Sequence, residues 1–437
     1  MPRAKIVCTI GPASNSPATL ESLVRAGMDV ARLNFSHGTQ EEHAANILAI
    51  REISRRAGRA VSILQDLAGI KLRLGDIAAG NVRLEPGASF TLTNRPVTGD
   101  EHEASIAYPD LPKSVRPGDK LLLADGDIEL EAVDTNARDI RCRVVSGGVI
   151  SSHKGINLPT RSIDAPSLTE KDQKDLAFGI EQRVDFVALS FVRQAKNVSD
   201  ARGFIESRGA SIPLIAKIEK HEALTNIDDI LAAADGIMVA RGDLGVETPL
   251  QHVPLLQKML IAKANRSGKP VITATQMLRS MVDCPRPTRA EAADVANAIL
   301  DGTDAVMLSE ETASGRYPVE SLDMMVRIAQ DAETAFPYDV WRERISEEGV
   351  QSLQESVADA ACTLADDMGA AAIVVCTQSG SAARLVARHR PRQPILALTP
   401  LTETCLGLSL VWGVLPVLIE PPKSTDELMD RVPAIAV

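Results

Sequence analysis

The chain has 437 residues, which at about 150 residues per domain predicts about three domains. Hydrophobic residues make up 45% and charged residues 24%, an ordinary globular balance, while aromatics at 3% leave the cores to Ala, Val, Leu and Ile. The net charge of −11 excludes the basic footprint of a nucleic-acid binder, and the longest apolar stretch, Leu406–Ile419, contains Gly413 and Pro416 and is too short to span a bilayer.

The opening Met1-Pro-Arg-Ala-Lys runs straight into a strand-like segment, so no signal peptide is expected. Six scattered cysteines without a CxxC predict free thiols in a reducing cytoplasm. Strand-like runs at Ile6–Ile10, Val30–Phe35 and Val61–Leu64 alternate with helical patterns at Pro17–Ala26 and Gln40–Ala57, the signature of βαβ units. From Gly69 the pattern changes to short strand-like pieces separated by Gly-Asp, Pro-Gly and Gly-Gly turns, which predicts an inserted β domain. Alternation resumes at Ser167. Thr169-Glu-Lys-Asp and Thr288-Arg-Ala-Glu read as capping boxes. Further runs follow at Val184–Phe191, Pro213–Glu219, Gly236–Arg241, Val271–Thr275 and Ala305–Ser309. Three early and five late strands predict a (β/α)8 barrel, with a doubly wound open sheet as the competing reading.

After Pro337 the runs Ala372–Cys376, Ile395–Leu398 and Val414–Ile419 predict a smaller doubly wound α/β domain. Pro433-Ala-Ile-Ala-Val reads as the start of a further strand, so that domain is expected to be incomplete. The predicted organisation is a barrel over 1–69 and 164–336, a β lid over 70–163 and an α/β domain over 337–437.

No GxGxxG, GxxxxGK[ST] or HExxH is present. The chemistry-bearing residues gather at strand ends. Arg32, Asn34 and Ser36 are spaced to share one side if the strand persists to Ser36, and His37-Gly38 follow. An isolated buried arginine is ordinarily a structural ion pair, but here a cation, an amide and a hydroxyl converge where barrels place active sites. Lys217 lies inside the apolar Leu214-Ile-Ala-Lys-Ile, two residues before Glu219. A plain Lys217–Glu219 ion pair is the simpler reading, although burying a lysine is costly. Asp243 stands between glycines in Arg241-Gly-Asp-Leu-Gly, an ordinary turn or a close approach to a ligand. Carboxylates on neighbouring strand ends suit a hard divalent cation, and Thr273 and Thr275 complete a polyanion site. Arg73 and Lys154, where the insert leaves and rejoins the barrel, read as exposed linker charges or as cations of a closing lid. Cys376-Thr-Gln-Ser-Gly-Ser, between a strand and a helix, reads as a capped turn or a phosphate loop.

Several segments together resemble the pyruvate kinase family: Lys5-Ile-Val-Cys-Thr-Ile-Gly-Pro-Ala-Ser, Val30-Ala-Arg-Leu-Asn-Phe-Ser-His-Gly, Leu214-Ile-Ala-Lys-Ile-Glu, Ile237-Met-Val-Ala-Arg-Gly-Asp-Leu-Gly, Ala274-Thr-Gln-Met-Leu and Pro285-Arg-Pro-Thr-Arg-Ala-Glu. The resemblance implies Mg²⁺-dependent phosphoryl transfer from phosphoenolpyruvate to ADP in a cytoplasmic homotetramer. It assigns Glu219 and Asp243 to Mg²⁺ (or Mn²⁺) and Arg32 and Lys217 to the moving phosphoryl group. Thr275 would act near the carboxylate and the proton transfer. The backbone at Gly242 and Asp243 would receive the carboxylate, and Thr9, Pro12, His37, Arg73 and Lys154 the nucleotide. Asn34, Ser36, Asp66 and Leu67 match a monovalent-cation pocket. Lys71 stands where many members carry an acid, and Ile70 where a proline is usual. A lysine there resembles members that work without K⁺, so K⁺ is expected to be dispensable. Thr377, Ser379, Gly380 and Ser381 match an effector phosphate loop. The matching second loop would lie past Val437, so weak or absent sugar-phosphate activation is expected. Metal-dependent aldolase- or lyase-type barrels and a non-catalytic metabolite-binding relic are the alternatives.

Overall fold

The computed structural model describes residues 2–78, 80–159, 166–348, 352–424 and 426–427. Eight parallel strands close into a barrel: Lys5–Ile10, Val30–Asn34, Ser62–Asp66, Phe186–Leu189, Leu214–Ile218, Gly236–Ala240, Val271–Ala274 and Ala305–Leu308. The first pairs with the eighth, Lys5 beside Ala305 and Cys8 beside Leu308, which excludes the open sheet. Nearly every strand residue is buried, as parallel strands covered by helices require. Both expected capping boxes form, at Thr169–Asp172 and Thr288–Glu291, and a third appears at Thr39–Glu42.

The strand parity explains where the chemistry falls. Side chains two apart share a face. Val7, Val30, Leu64, Phe186, Ile215, Met238 and Ile272 belong to one apolar cluster. Two residues further along four of those strands the same face turns polar, giving Thr9, Arg32, Asp66 and Lys217, and Ser190 and Glu219 follow just past the ends of the fourth and fifth strands. The greasy middle thus ends in a polar mouth at the C-terminal end of the barrel. Leu410 of the C-terminal domain joins the apolar cluster, and Lys5 Nζ donates to Val414 O at 2.6 Å. The C-terminal domain therefore covers the N-terminal end.

Most predicted strands overshoot by one or two residues. Phe35, Glu219, Arg241, Thr275 and Ser309 all lie past their strand ends. Ser36 therefore does not continue the strand of Arg32 and Asn34. The chain turns, and Ser36 N donates to Asn34 Oδ1 at 3.1 Å.

The inserted domain has its own core around Leu72, Phe90, Leu121, Ile128 and Ile140. It curls a six-stranded sheet against a two-stranded ribbon. Its hinge is a ladder in which Arg73 pairs with Gly155 and Leu74 N donates to Lys154 O at 2.9 Å. The expected boundary at 163/164 lies outside the described residues. In the C-terminal unit three parallel strands, Ile373–Cys376, Ile395–Thr399 and Val414–Leu418, lie in sequential order. The reversal of order that a doubly wound sheet needs is not among the described strands, and Pro433–Val437 lie outside them.

Candidate active site

Asp66, at the end of the third barrel strand, accepts from Arg32 Nε at 2.7 Å and lies 3.3 Å from Lys217 Nζ. Lys217 Nζ also lies 2.9 Å from Glu219 Oε1 and donates to Ser190 Oγ at 2.7 Å. Arg32 Nη1 donates to Thr9 Oγ1 at 2.9 Å. The simple Lys217–Glu219 ion pair is real, but it is one edge of a network spanning five strand ends.

The electrostatics follow from burial and pairing. For Asp66 burial is the largest single influence and favours the neutral acid, yet Lys217 and Arg32 together outweigh it and hold the carboxyl below its usual range. For Lys217 burial favours the neutral amine, but Asp66 and Glu219 keep it charged to above its ordinary value. Glu219 goes the other way. Burial raises it, Lys217 opposes, and the neighbouring Asp243 carboxylate pushes it further up. Two neighbouring carboxylates are a donor set that suits a divalent cation.

Asp243 lies in the first turn of the short helix Arg241–Glu247. Its Oδ1 is 3.1 Å from Lys71 Nζ. The sequence reading places Lys71 with Asn34, Ser36, Asp66 and Leu67. Among the described residues its ion-pair partner is Asp243 instead, because the lysine reaches across the barrel mouth to an acid with no other cation. Within that expected pocket, Asn34 Oδ1 caps Ser36 N, Asp66 is engaged by Arg32 and Lys217, and Leu67 is buried with its carbonyl on Ser190 Oγ at 2.7 Å.

Thr275 has φ of +70° and Gln276 +56°. Consecutive left-handed residues other than glycine are strained and cluster at functional sites. Thr275 Oγ1 accepts from Gly242 N at 2.9 Å, so the N–H expected to receive a carboxylate holds Thr275 here. Thr273 does not join the site: it is buried in the barrel and donates to Thr303 Oγ1 at 2.9 Å.

The nucleotide candidates split. Thr9 is buried under Arg32 and donates to Leu308 O at 2.9 Å, whereas Pro12 and His37 are exposed past their strands. Arg73 Nη1 donates to His153 O at 3.0 Å, which sets it beside Lys154 on the hinge. In the C-terminal domain Gly380, at φ +79°, donates its N–H to Thr377 Oγ1 at 2.9 Å, with Ser379 and Ser381 in the same turn. This turn is far in sequence and fold from the barrel mouth.

A cleft of about 1040 Å³ lies between lid and barrel, lined among others by Lys71, Lys120, Asp125, Asp243, Thr275 and Glu311. Sequence reasoning missed the lid residues and three supports. Ser190 joins Lys217 to Leu67. Phe191 N donates to Glu219 Oε2 at 2.7 Å. Arg241 donates to Thr275 O at 2.7 Å, Ala274 O at 3.2 Å and Asp294 Oδ1 at 2.7 Å. Only Ser190, in step with the inward face of its strand, carried a readable signal. A second acidic group, His221, Glu222 and Glu247, is already neutralised by Lys220 on Glu247 at 2.6 Å.

Residues 1–322 match the family model described as pyruvate kinase, barrel domain, and residues 355–437 the pyruvate kinase alpha/beta domain. The chain is 50% identical over 429 residues to pyruvate kinase 2 of a Synechocystis species, covering 97% of this chain and 72% of that one. It is 48% identical over 432 residues to pyruvate kinase of Geobacillus stearothermophilus, covering 98% and 73%. It is 43% identical over 431 residues to that of Clostridium acetobutylicum, covering 98% and 91%.

Proposed function

The chain belongs to the pyruvate kinase family, and on that premise we propose how its own residues divide the transfer of a phosphoryl group from phosphoenolpyruvate to ADP. The observation that carries the proposal is the Arg32–Asp66–Lys217–Glu219 network, whose Glu219 feels the charge of Asp243, a residue lining the lid cleft.

Arg32 and Lys217 grip the phosphoryl oxygens while the bond to the enol oxygen breaks and the bond to the ADP β-phosphate oxygen forms. Cations aimed in advance suit a loose transition state whose charge spreads over those oxygens. Asp66 keeps the two cations apart from each other's repulsion. Lys217 then steadies the enolate, which takes a proton at its methylene carbon to give pyruvate. The Thr275 hydroxyl stands where that carboxylate and proton are handled. Arg73 and Lys154 neutralise nucleotide phosphates as the lid excludes water. Glu219 and Asp243 would hold a divalent cation, Mg²⁺ or Mn²⁺. When bound, the cation supplies positive charge to the phosphoryl and enolate oxygens.

The inherited tetramer and a cytoplasmic location complete the proposal. They are supported by the family, by six free cysteines, and by the lack among the described residues of a helix long and apolar enough to cross a membrane. The Thr377–Ser381 turn is proposed as a phosphate-holding loop.

The test couples pyruvate formation to lactate dehydrogenase, with phosphoenolpyruvate, ADP and Mg²⁺. Activity is expected, abolished by chelation. Lys217→Met should lower kcat by about 10²–10³, the usual loss for a preorganised charge-stabilising group. Undiminished turnover would remove Lys217 from the reaction.

A further inference from the structure

The seam between the barrel and the C-terminal domain holds a second cationic cleft, at the end of the barrel away from the active site. It is small, about 30 Å³, enough for two or so water molecules. Lys269 and Asn265 line it from the barrel. Arg384, Arg388 and Arg390 line it from the C-terminal domain, with Asp304 between.

Pairing the charges leaves two over. Arg388 is matched by Glu355, and Arg390 by Asp304 at 3.0 Å. Asp304's other oxygen accepts from Val271 N at 2.9 Å. Lys269 Nζ has only the carbonyl of Ala234, at 2.5 Å. Arg384 has only carbonyls, Ser379 O at 3.2 Å and Gly407 O at 3.1 Å. Among the described residues no carboxylate pairs with either. The acid whose field Arg384 feels, Asp235, is already tied to Arg202 at 2.9 Å and to Leu214 N at 2.8 Å. Burial disfavours the charged form of Arg384 and pushes it below the ordinary guanidinium range. Arg390 is only 3% exposed, yet its Nε and Nη1 have no hydrogen-bond partner. The Arg390 guanidinium lies over the rings of Trp412 at 4.7 Å and Trp341 at 5.4 Å, so the cations left for a ligand are Lys269 and Arg384.

We propose that this cleft binds a phosphate group, free or as a monoester, between Lys269 of the barrel and Arg384 of the C-terminal domain. A guanidinium fork and an ammonium together match the oxygens of a tetrahedral dianion. The same Arg384 holds the carbonyl of Ser379, in the Thr377–Ser381 turn. A Cβ on Gly380 would meet Arg384 Nη1 at 2.8 Å, so turn and arginine are in direct contact. Occupancy of the cleft therefore ties that turn to the barrel through one side chain.

The test has two readouts. Crystals of the full chain soaked in tungstate, a heavy phosphate mimic, should show anomalous density between Lys269 and Arg384, absent from Lys269→Met. Isothermal titration with inorganic phosphate should show a site weakened about ten- to hundredfold in Lys269→Met, the loss expected for a charge-assisted hydrogen bond. Lys263→Met, on the helix Val253–Arg266 that precedes Lys269 and paired with Asp228, should leave it unchanged. Lys269→Met breaks only one carbonyl contact, so a folding defect does not confuse the result. Glucose 6-phosphate and adenosine monophosphate are titrated alongside: tighter binding than inorganic phosphate identifies a metabolite's phosphate, weaker binding identifies the free ion. Tungstate found only at Arg32 and Lys217 or at Thr377–Ser381, or phosphate affinity indifferent to Lys269→Met, overturns the proposal.

Discussion

Arg32 and Lys217 are held side by side, despite their mutual repulsion, because Asp66 gives one carboxylate oxygen to each. The folded Asp66 titrates below its unfolded value of about 3.9. Its contribution to stability is therefore complete above that value and is lost as pH falls through the lower folded value. Lys217 titrates above its unfolded value, so its contribution is present below about 10.4 and lost as pH rises through the higher folded value. The Asp66–Lys217 pair is therefore charged on both sides across the neutral range. Asp66→Asn leaves the buried Arg32 without a carboxylate and Lys217 with Glu219 alone, and should cost about 3–5 kcal/mol, the range for breaking a buried pair. Chemical denaturation of the variant at neutral pH measures it, and a loss below about 1 kcal/mol would show that Asp66 is not the brace argued here. Lys71 acts at the same mouth. Its ammonium on Asp243 brings a tethered positive charge to the cleft between lid and barrel, and on that basis we predict that no monovalent cation is required. Turnover with tetramethylammonium as the only monovalent cation should therefore match turnover with K⁺. Lys71→Glu should create a K⁺ requirement, and activity that collapses without K⁺ in the unaltered chain refutes the idea.

At the scale of the element, the turn after the seventh barrel strand is a strained part of the site. Two consecutive left-handed residues, Thr275 and Gln276, cost of order 1–3 kcal/mol each. Arg241 restrains them by holding the carbonyls of Ala274 and Thr275, and Asp294, on the helix Arg289–Leu300, anchors Arg241 in turn. Arg241 is thus a positioning residue. Arg241→Met should lower kcat about tenfold or more while changing the phosphoenolpyruvate KM less, since a small misplacement of a reacting group is expensive. Steady-state kinetics that show a KM effect alone would argue for a binding role instead. The contrast with the strands shows what sequence reveals. The strand cores and the helices Pro17–Ala26 and Gln40–Ala57 were legible because periodicity is local. Arg32, Lys217 and Glu219 were legible because charges in or beside apolar runs are conspicuous, and Asp243 because it stands between glycines. The Arg241–Asp294 tie, the Lys71–Asp243 pair and the Phe191 N–H on Glu219 were not, because each joins segments far apart in the chain and depends on barrel closure. Strand ends were overrun at Glu219 and Thr275 because apolar alternation continues past the point where the backbone turns.

The whole molecule is a barrel stopped at both ends: the C-terminal domain covers the N-terminal end through Leu410 and Val414, and the lid covers the mouth. The insert starts where composition changes, at Gly69, and the structure gives that glycine a mechanical role. It has φ of +63°, and its N–H donates to Asp172 Oδ1 at 3.0 Å, fixing the lid's root to the barrel wall. A Cβ there would lie 2.9 Å from both Phe191 Cδ2 and Ser190 Cβ. Those two residues carry the contacts to Glu219 and Lys217. The hinge and the catalytic network therefore share a wall, and a methyl group at position 69 presses on it. Gly69→Ala should cost about 1–2 kcal/mol of stability from the left-handed backbone alone. If the displaced Ser190 and Phe191 carry Lys217 and Glu219 with them, kcat should fall about ten- to hundredfold, because reacting groups tolerate little misplacement. A lid effect alone would instead appear chiefly as a higher KM for ADP with kcat preserved. Measuring both substrates' KM and kcat in Gly69→Ala, together with its unfolding midpoint, separates the two, and unchanged kcat in a destabilised variant would show that the wall yields without disturbing the site.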